Sequence, residues 1–219
     1  MATIPRKRLP YLYVSWLSKY LAGERQCLWA LWFQSRYKFD KVASDFDLAA
    51  WSSDHDALVA KRAEELKAAG YTVRVENENY WQLKGQTAML AGKMDIVARK
   101  PGYAIVLDGK TGQQRKRDWW QVLIYMIALP MCWNSGNMRI SGEVFYRDGT
   151  SIRIEPEEVT QEIRQKVFNL IRMLGSDCIS PPAKTPSIQE CGMDCNISGN
   201  DCDARIDRRD MAVTETSMF

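Results

Sequence analysis

Residues 89–125 read MLAGKMDIVARKPGYAIVLDGKTGQQRKRDWWQVLIY and contain two strand-like runs followed by a helix-like run. Apolar and polar side chains alternate over residues 93–98, which is typical of a half-buried strand. One face of this strand carries Asp95 and Val97, and the other carries Met94, Ile96 and Ala98. The pattern therefore predicts that Asp95 is an acid held at a sheet surface.

The run Tyr103–Lys110 is the second strand, and its alternation puts Val106, Asp108 and Lys110 on one face. Asp108 follows an apolar run that predicts a position inside the sheet, where an unpaired carboxylate is costly. With Asp95 on the adjacent strand, Asp108 would make a hard-oxygen site for Mg²⁺ or Mn²⁺. A surface ion pair and a simple Asp-Gly turn are the alternatives. The conjunction of both acids with Lys110 favours a metal site for phosphodiester hydrolysis, in which the ammonium assists the attacking water.

The composition fits one domain, or one domain with an appendage, and predicts one globular body. The chain has 219 residues, of which 46% are hydrophobic and 26% charged, and a net charge of +3. Residues 1–38 carry seven Lys and Arg side chains against one acid, Glu24. This arm could contact phosphate, as could the basic run at residues 113–117, although charge alone favours ordinary solvated surfaces.

The sequence also predicts a cytoplasmic protein without a membrane segment. The run after the basic residues 6–8 is too short and too polar for the apolar region of a signal peptide. The most apolar stretch, residues 119–133, falls short of the ~20 residues needed to cross a bilayer and predicts a buried helix. Six cysteines without an export signal favour metal or cluster ligation over disulfides.

The hydrophobic periods predict an α/β fold. Helical spacing predicts helices at residues 16–21 (after an N-cap at Ser15), 24–37, 46–69, 115–129 and 156–174. A period of two predicts strands at residues 71–75, 80–83, 88–98, 104–108, 139–145 and 151–154. From residue 175 onward the chain is rich in Pro, Cys and polar residues and cannot form a core of its own. Thiolate ligation to a metal or cluster would hold this tail in place.

Several motifs, in this order, resemble the PD-(D/E)xK nucleases and, within them, the RecB-like branch. Residues 92–95 resemble the first acidic motif, and residues 106–112 resemble the (D/E)xK motif with its following Thr-Gly. Gln121 and Tyr125 resemble the QxxxY signature, and at i,i+4 they share a helix face. The resemblance implies a restriction-endonuclease-like mixed central sheet flanked by helices, an N-terminal helical region, and DNA contacts by both side chains.

His55 is the only histidine and lies on the apolar side of the third predicted helix. A lone histidine in such a position is more often a core residue than a ligand. RecB-like nucleases, however, place a histidine from a helix upstream of the sheet on the catalytic metal. The resemblance therefore implies that His55, Asp95 and Asp108 hold Mg²⁺ or Mn²⁺.

The closing cysteines form a C-x3-C-x6-C pattern made by Cys191, Cys195 and Cys202. This pattern is one ligand short of the four thiolates that a structural zinc or an iron–sulfur cluster takes. By position alone, Cys178 would supply the fourth. Cys132 lies in an apolar segment, which predicts that it is a small, buried hydrophobic residue.

The same cysteines resemble those of a RecB-like subgroup that includes the AddB nuclease domain and the CRISPR-associated Cas-four exonucleases. That resemblance implies a [4Fe-4S] cluster held by one distant N-terminal cysteine, here Cys27, together with the closing three. The three-residue spacing between Cys191 and Cys195 departs from the usual C-x2-C and leaves zinc open.

These features predict a nuclease domain at residues 1–174, a cysteine-rich tail at 175–205 that completes it, and a polar, flexible C-terminus at 206–219. The predicted function is an exonuclease on single-stranded DNA or DNA ends, with CRISPR adaptation proteins as partners. The predicted catalytic residues are Asp95, Asp108, Lys110, Gln121 and Tyr125. A repair or mobile-element nuclease is one alternative. A non-catalytic iron–sulfur DNA-binding or assembly module is another, which the intact acids and lysine disfavour.

Overall fold

The structure, a computed structural model, describes residues 3–6, 9–42, 47–133, 138–175 and 181–206. Its α-helices are α1 (Val14–Leu21), α2 (Leu28–Arg36), α3 (Leu48–Ala68), α4 (Lys116–Cys132) and α5 (Gln161–Gly175). Its strands are β1 (Ile4–Pro5), β2 (Tyr11–Tyr13), β3 (Tyr37–Lys38), β4 (Thr72–Val75), β5 (Tyr80–Lys84), β6 (Met89–Lys93), β7 (Ile96–Lys100), β8 (Tyr103–Lys110), β9 (Arg139–Tyr146) and β10 (Ser151–Ile154). Two 3₁₀ turns, Glu76–Asn79 and Pro156–Glu158, follow β4 and β10, and a π turn lies at Glu190–Asp194.

The central sheet has five strands in the order β10-β9-β8-β7-β4. The strands β8 and β9 run parallel, because α4 crosses over between them, and the other pairs in this sheet are antiparallel. A second sheet has the order β2-β6-β5, with β2 parallel to β6 and β5 antiparallel to it. A mixed central sheet flanked by helices confirms the predicted α/β class.

Helices cover both faces of the central sheet. On one face, α4 contributes to the main core, which contains Val97, Val106, Leu123, Ile127 and Val144. On the other face, α3 packs through Val59, Ala63 and Leu66 on Ile96, Ala98, Ile105 and Leu107. Because side chains alternate along β8, Asp108 and Lys110 continue the Val106 face and emerge on the α4 side. The predicted shared face of β8 is therefore confirmed.

The prediction of one strand over residues 88–98 is wrong. This segment forms β6 and β7, which belong to different sheets, and the chain changes sheet at Met94 and Asp95. The change interrupts the alternation, so Met94 packs in the main core with Val97, whereas Ile96 lies in the α3 cluster. Asp95 therefore lies in a crossing between two sheets and not in the middle of a strand.

Helix boundaries differ from the prediction where strands and tertiary packing intervene. Helix α1 begins at Val14 without a Ser15 cap, because β2 runs directly into it. Helix α4 continues through Pro130 to Cys132, and its central turns are buried. Pro130 stands in the last turn, where its missing N–H removes only one helical hydrogen bond. Across the described ranges, no helix is long and apolar enough to span a membrane.

The described part of the tail packs against α2 through a third apolar cluster. This cluster contains Cys27, Trp29, Ala30, Phe33 and Ile197. Lys41 and Ile197 also form an isolated antiparallel bridge. Apolar and backbone contacts thus hold the tail in addition to any thiolate ligation. Cys178 and residues 207–219, including most of the predicted flexible C-terminus, lie outside the described residues.

Candidate active site

Four of the predicted catalytic side chains line one pocket of about 560 Å³, which we call the active-site pocket. They are Asp95, Asp108, Lys110 and Gln121, and His55 joins them from α3. Asp95 comes from the crossing between β6 and β7, the next two from the end of β8, and Gln121 from α4. These elements meet because β7 and β8 are neighbours in the sheet and α4 follows β8 directly in the chain.

His55 and Asp95 form the first pair in the pocket. His55 Nε2 lies 3.1 Å from Asp95 Oδ2, and both side chains are buried. The same Oδ2 accepts the backbone N–H of Gly109 at 2.8 Å, which ties the carboxylate to β8. The hydrogen bond with Asp95 raises the pKa of His55 against the opposing effect of burial. The imidazole therefore faces buried acid and is not a simple core residue.

Asp108, Lys110 and Gln121 form the second group. Lys110 Nζ lies 2.5 Å from Asp108 Oδ2, and Gln121 Nε2 donates to Asp108 Oδ1 at 2.8 Å. Lys110 Nζ also donates to Gln121 Oε1 at 3.4 Å. Asp108 is 2% exposed, and burial raises its pKa to about 7 although the neighbouring ammonium opposes the shift. This pair lies inside the pocket, unlike the exposed ion pair considered as an alternative.

Tyr125 lies beneath Gln121, in the buried interface between α4 and β6. Gln121 Nε2 donates to the Tyr125 hydroxyl at 3.2 Å, and that hydroxyl donates to the carbonyl of Lys93 at 2.8 Å. Tyr125 is 3% exposed, and burial raises its pKa well above the usual range. The two residues of the i,i+4 pair therefore have different positions. Gln121 reaches the pocket, and Tyr125 fixes the orientation of Gln121 against β6.

Glu76 is a site residue that the sequence reasoning missed. Its Oε1 lies 3.6 Å from His55 Nδ1, and its Oε2 lies 2.5 Å from Lys93 Nζ. Its backbone has a positive φ of 44°, and its N–H donates to the carbonyl of Asp95 at 2.8 Å. A non-glycine residue in this region is strained and is held only where its surroundings require it. Its polar surroundings, Glu-Asn-Glu-Asn, are a weak signal in the sequence.

The donor set of the pocket suits a hard divalent cation. Ligand atoms of His55, Glu76 and Asp95 lie within 4.8 Å of one another. One imidazole nitrogen and two carboxylates form a donor set that accepts Mn²⁺ or Mg²⁺. Asp108 is not in this close group; Gln121 Nε2 donates to its Oδ1, and Lys110 Nζ lies 2.5 Å from its Oδ2. The predicted ligation by Asp108 stays a prediction.

Replacing Glu76 with glutamine is expected to weaken Mn²⁺ binding about tenfold, because the site loses a carboxylate that adjoins His55 and Asp95. Calorimetric titration of the metal-free protein with Mn²⁺ would measure the change. Glu64→Gln, an exposed substitution on α3, is the matched control and should bind Mn²⁺ like the wild type. Equal Mn²⁺ affinity for wild type and Glu76→Gln would exclude Glu76 from the metal site.

Cations surround the rim of the active-site pocket. They are Lys19, Lys93, Arg115 and Arg117. Lys19 pairs with Asp194 at 2.7 Å, and Arg117 lies 3.3 Å from Glu24, so acids position both side chains. Arg25, counted in the predicted basic arm, is instead buried and paired with Glu190 at 3.4 Å. Of the described cations of the arm, Lys19 is the one that lines this pocket.

A model of the PD-(D/E)XK nuclease superfamily matches residues 14–199. The chain belongs to the PD-(D/E)XK nuclease superfamily. Membership assigns the chemistry of a metal-dependent nuclease, with nucleic acid as substrate, to a fold of the restriction-endonuclease type. Among solved structures, one described as "Crystal structure of SSO0001" is similar, with a TM-score of 0.47 and 18% identity over 92% of this chain and 89% of that chain. No curated protein matches the chain.

Four cysteines of this PD-(D/E)XK nuclease line a second, smaller pocket. They are Cys27, at the N-terminus of α2, and Cys191, Cys195 and Cys202 from the tail. All four are free thiols, and Cys27 and Cys191 are buried. Arg205 donates to the carbonyls of Cys191 at 2.7 Å and Cys195 at 3.1 Å, which fixes the loop backbone. Four thiols lining one pocket match in number the ligands that a zinc or iron–sulfur site takes.

Glu190 brings the distant cysteines together and was not predicted. Its Oε2 accepts the backbone N–H groups of Gln26 at 2.9 Å and Cys27 at 3.1 Å. Its 4% exposure and its ion pair with Arg25 show that it is a buried anchor of the nuclease. Cys132 lies elsewhere, half-buried against the main core, as expected of an apolar packing residue.

Proposed function

We propose that this protein is a cytoplasmic, divalent-metal-dependent DNA exonuclease of the RecB-like branch that acts on single strands or DNA ends. The observation that carries the proposal is the meeting of two buried groups in one pocket: His55 with Asp95, and Asp108 with Lys110 and Gln121. Carboxylates, an imidazole, an ammonium and an amide in this arrangement supply the ligands and donors that phosphodiester hydrolysis requires.

In this proposal, water adds to phosphorus and the bond from phosphorus to one ester oxygen breaks, which leaves a phosphate on one product and a hydroxyl on the other. A divalent cation bound by His55, Glu76 and Asp95, with Asp108 as the further ligand predicted from the sequence, would supply Lewis-acid stabilisation of the phosphate charge and favour deprotonation of water. Lys110 orients the attacking water and offsets the charge that develops on phosphate. Gln121 holds the Asp108 carboxylate in position, while Tyr125 holds Gln121.

The choice of DNA ends as substrate is supported by the order of motifs and by the rim cations. Lys19 and Arg115 line the pocket, where basic side chains can contact the phosphates of a bound strand. A role in CRISPR adaptation is the most specific part of the proposal. Its only support is that the motif order and the cysteine set resemble those of the CRISPR-associated Cas-four exonucleases.

The four converging cysteines are proposed to hold a [4Fe-4S] cluster, with zinc as the alternative. The fit is supported by the donor set, four thiols in one pocket, and by the apolar residues around it, Trp29, Ala30 and Ile197. Such a group would cross-link α2 to the tail. The predicted role is structural.

Cleavage of labelled DNA tests the proposed function. Purified protein with Mn²⁺ or Mg²⁺ is expected to shorten linear single-stranded DNA from its ends, and excess EDTA is expected to stop the reaction. Circular single-stranded DNA of the same sequence is the matched control and should stay intact. Cleavage of the circle would overturn the exonuclease assignment, and the absence of any metal-dependent cleavage of linear DNA would overturn the proposed function.

A further inference from the structure

Among the elements of the described ranges, none is assigned to the outer face of the second sheet, which carries aromatic rings. Alternation along the three strands turns Leu12, Trp81 and Leu90 toward the main core. Their neighbours therefore point outward, and they include three tyrosines, Tyr11, Tyr13 and Tyr80, which we call the tyrosine face. Tyr80 is 49% exposed and Tyr13 37% exposed, so their rings are open to a partner.

Contacts among the rings preorganise this face. The hydroxyls of Tyr11 and Tyr80 lie 2.8 Å apart and bridge β2 and β5. The rings of Tyr11 and Tyr13 have centroids 5.0 Å apart, and Trp16 packs edge-on against Tyr13 at 4.8 Å. Between them Ala91, on the outward side of the central strand β6, is fully buried. The rings thus form a fixed surface above β6, with little conformational freedom to lose on binding.

The tyrosine face is continuous with the active-site pocket. Tyr80 pairs in register with Lys93, and Lys93 lines the pocket that contains Asp95 and Asp108. At the other end of the same face, Tyr11 and Lys84 line a separate pocket of about 420 Å³. The outward face of β5 therefore runs from the active-site pocket to the pocket lined by Tyr11 and Lys84.

Charge on this face suits a polyanion. The outward positions of β2, β5 and β6 carry two lysines, Lys84 and Lys93, and no acid. Lys93 is paired with Glu76 at the pocket end, whereas Lys84 is exposed at the far end. Burial and the hydrogen bond with Tyr80 raise the pKa of Tyr11, so its hydroxyl stays neutral beside a phosphate chain.

We propose that the tyrosine face is a stacking platform for the single-stranded DNA segment next to the scissile phosphate. This inference rests on the proposed function, since it takes the active-site pocket as the point of cleavage. Exposed rings beside lysines bind unpaired bases by stacking, whereas the paired bases of a duplex hide their faces. The five residues of β5 span about 15 Å, enough for two or three nucleotides.

Binding of fluorescein-labelled oligothymidylate tests the platform. Fluorescence anisotropy with a 20-mer in EDTA measures affinity without cleavage. The Tyr13→Ala, Tyr80→Ala double variant is expected to bind the 20-mer at least about tenfold more weakly, because it loses two stacking rings. The corresponding double Phe variant keeps the rings and should stay within about threefold of wild type. Phe168→Ala, which removes an exposed ring of α5, is the matched control.

Three results would overturn the platform: no binding of the 20-mer by wild type, equal binding by the Ala double variant, or equal loss in the Phe variant. A dimer in light scattering that becomes a monomer in the Ala variant would assign the face to a second copy of the chain. Tyrosine-dependent binding without cleavage in Mn²⁺ would reject the proposed function but keep the platform. Cleavage of DNA by a protein whose DNA binding does not depend on these tyrosines would reject the platform but keep the proposed function.

Discussion

Replacing Lys110 with alanine is expected to lower Mn²⁺-dependent DNA cleavage by about 10²–10³-fold. Lys110 is the cation that contacts Asp108, and its Nζ also reaches Gln121. Its removal takes away the donor that would orient water and offset charge on phosphate. It also removes the ammonium that lowers the pKa of Asp108, so this buried carboxyl would hold its proton more strongly.

Single-turnover cleavage of end-labelled DNA would measure this loss, with Mn²⁺ affinity determined separately by calorimetry. Because the His55, Glu76 and Asp95 donors are untouched, Mn²⁺ should still bind to Lys110→Ala. Lys67→Ala, on the exposed side of α3, is the matched control. Lys110→Arg keeps the charge and tests whether the geometry of the ammonium matters. Equal cleavage rates for wild type and Lys110→Ala, with both folded by thermal melting, would show that this pocket is not the catalytic centre.

The groups on β8 and α4 were predictable from the sequence because their geometry is local. Asp108 and Lys110 share a face by alternation, and Gln121 and Tyr125 share one by helical spacing. A short connection from β8 to α4 then brings the two faces together, so Gln121 contacts both Asp108 and Lys110. The spacing does not show how deeply each side chain is buried. Gln121 reaches the pocket, whereas Tyr125 is buried below it.

Glu76 and the true position of Asp95 depend on a change of sheet, which local patterning does not encode. Residues 88–98 alternate well enough to predict one strand, yet the chain leaves one sheet and enters another at Met94. This crossing exposes the Asp95 carboxylate to His55 and places the Glu76 backbone against the Asp95 carbonyl. Only tertiary structure brings these three side chains together.

The cysteine pocket shows the same division between motif and environment. The closing cysteines are visible as a pattern, but only the family resemblance points to Cys27, since proximity in sequence favours Cys178. In the structure, Cys27 meets the tail because the buried carboxylate of Glu190 accepts its backbone N–H. An acid in a polar, proline-rich segment predicts a solvated surface, so the sequence contains no sign of this anchor.

Replacing Cys27 with alanine is expected to abolish the broad visible absorption and the bound iron of the purified protein. The four thiols line one pocket, and a [4Fe-4S] cluster with three protein ligands there is open to loss of iron. A cluster bound by Cys27 and Cys191 would close a long loop and so restrict the unfolded chain, which would stabilise the fold. Its loss should free the tail, so trypsin should cut the 181–206 segment of the variant before the rest of the domain.

Iron analysis, visible absorption and limited proteolysis of anaerobically purified protein would measure these effects. Cys132→Ala is the matched control, because Cys132 packs against the main core and is not among the residues that line the cysteine pocket. Iron retained by Cys27→Ala but lost from Cys178→Ala would reject the ligand set proposed here. Zinc without iron in the wild type would keep the four-thiol site and replace the cluster. Lys19, which lines the active-site pocket, bonds to Asp194, which lies between Cys191 and Cys195. Loss of iron or zinc from the cysteine pocket should therefore also weaken DNA binding at Lys19.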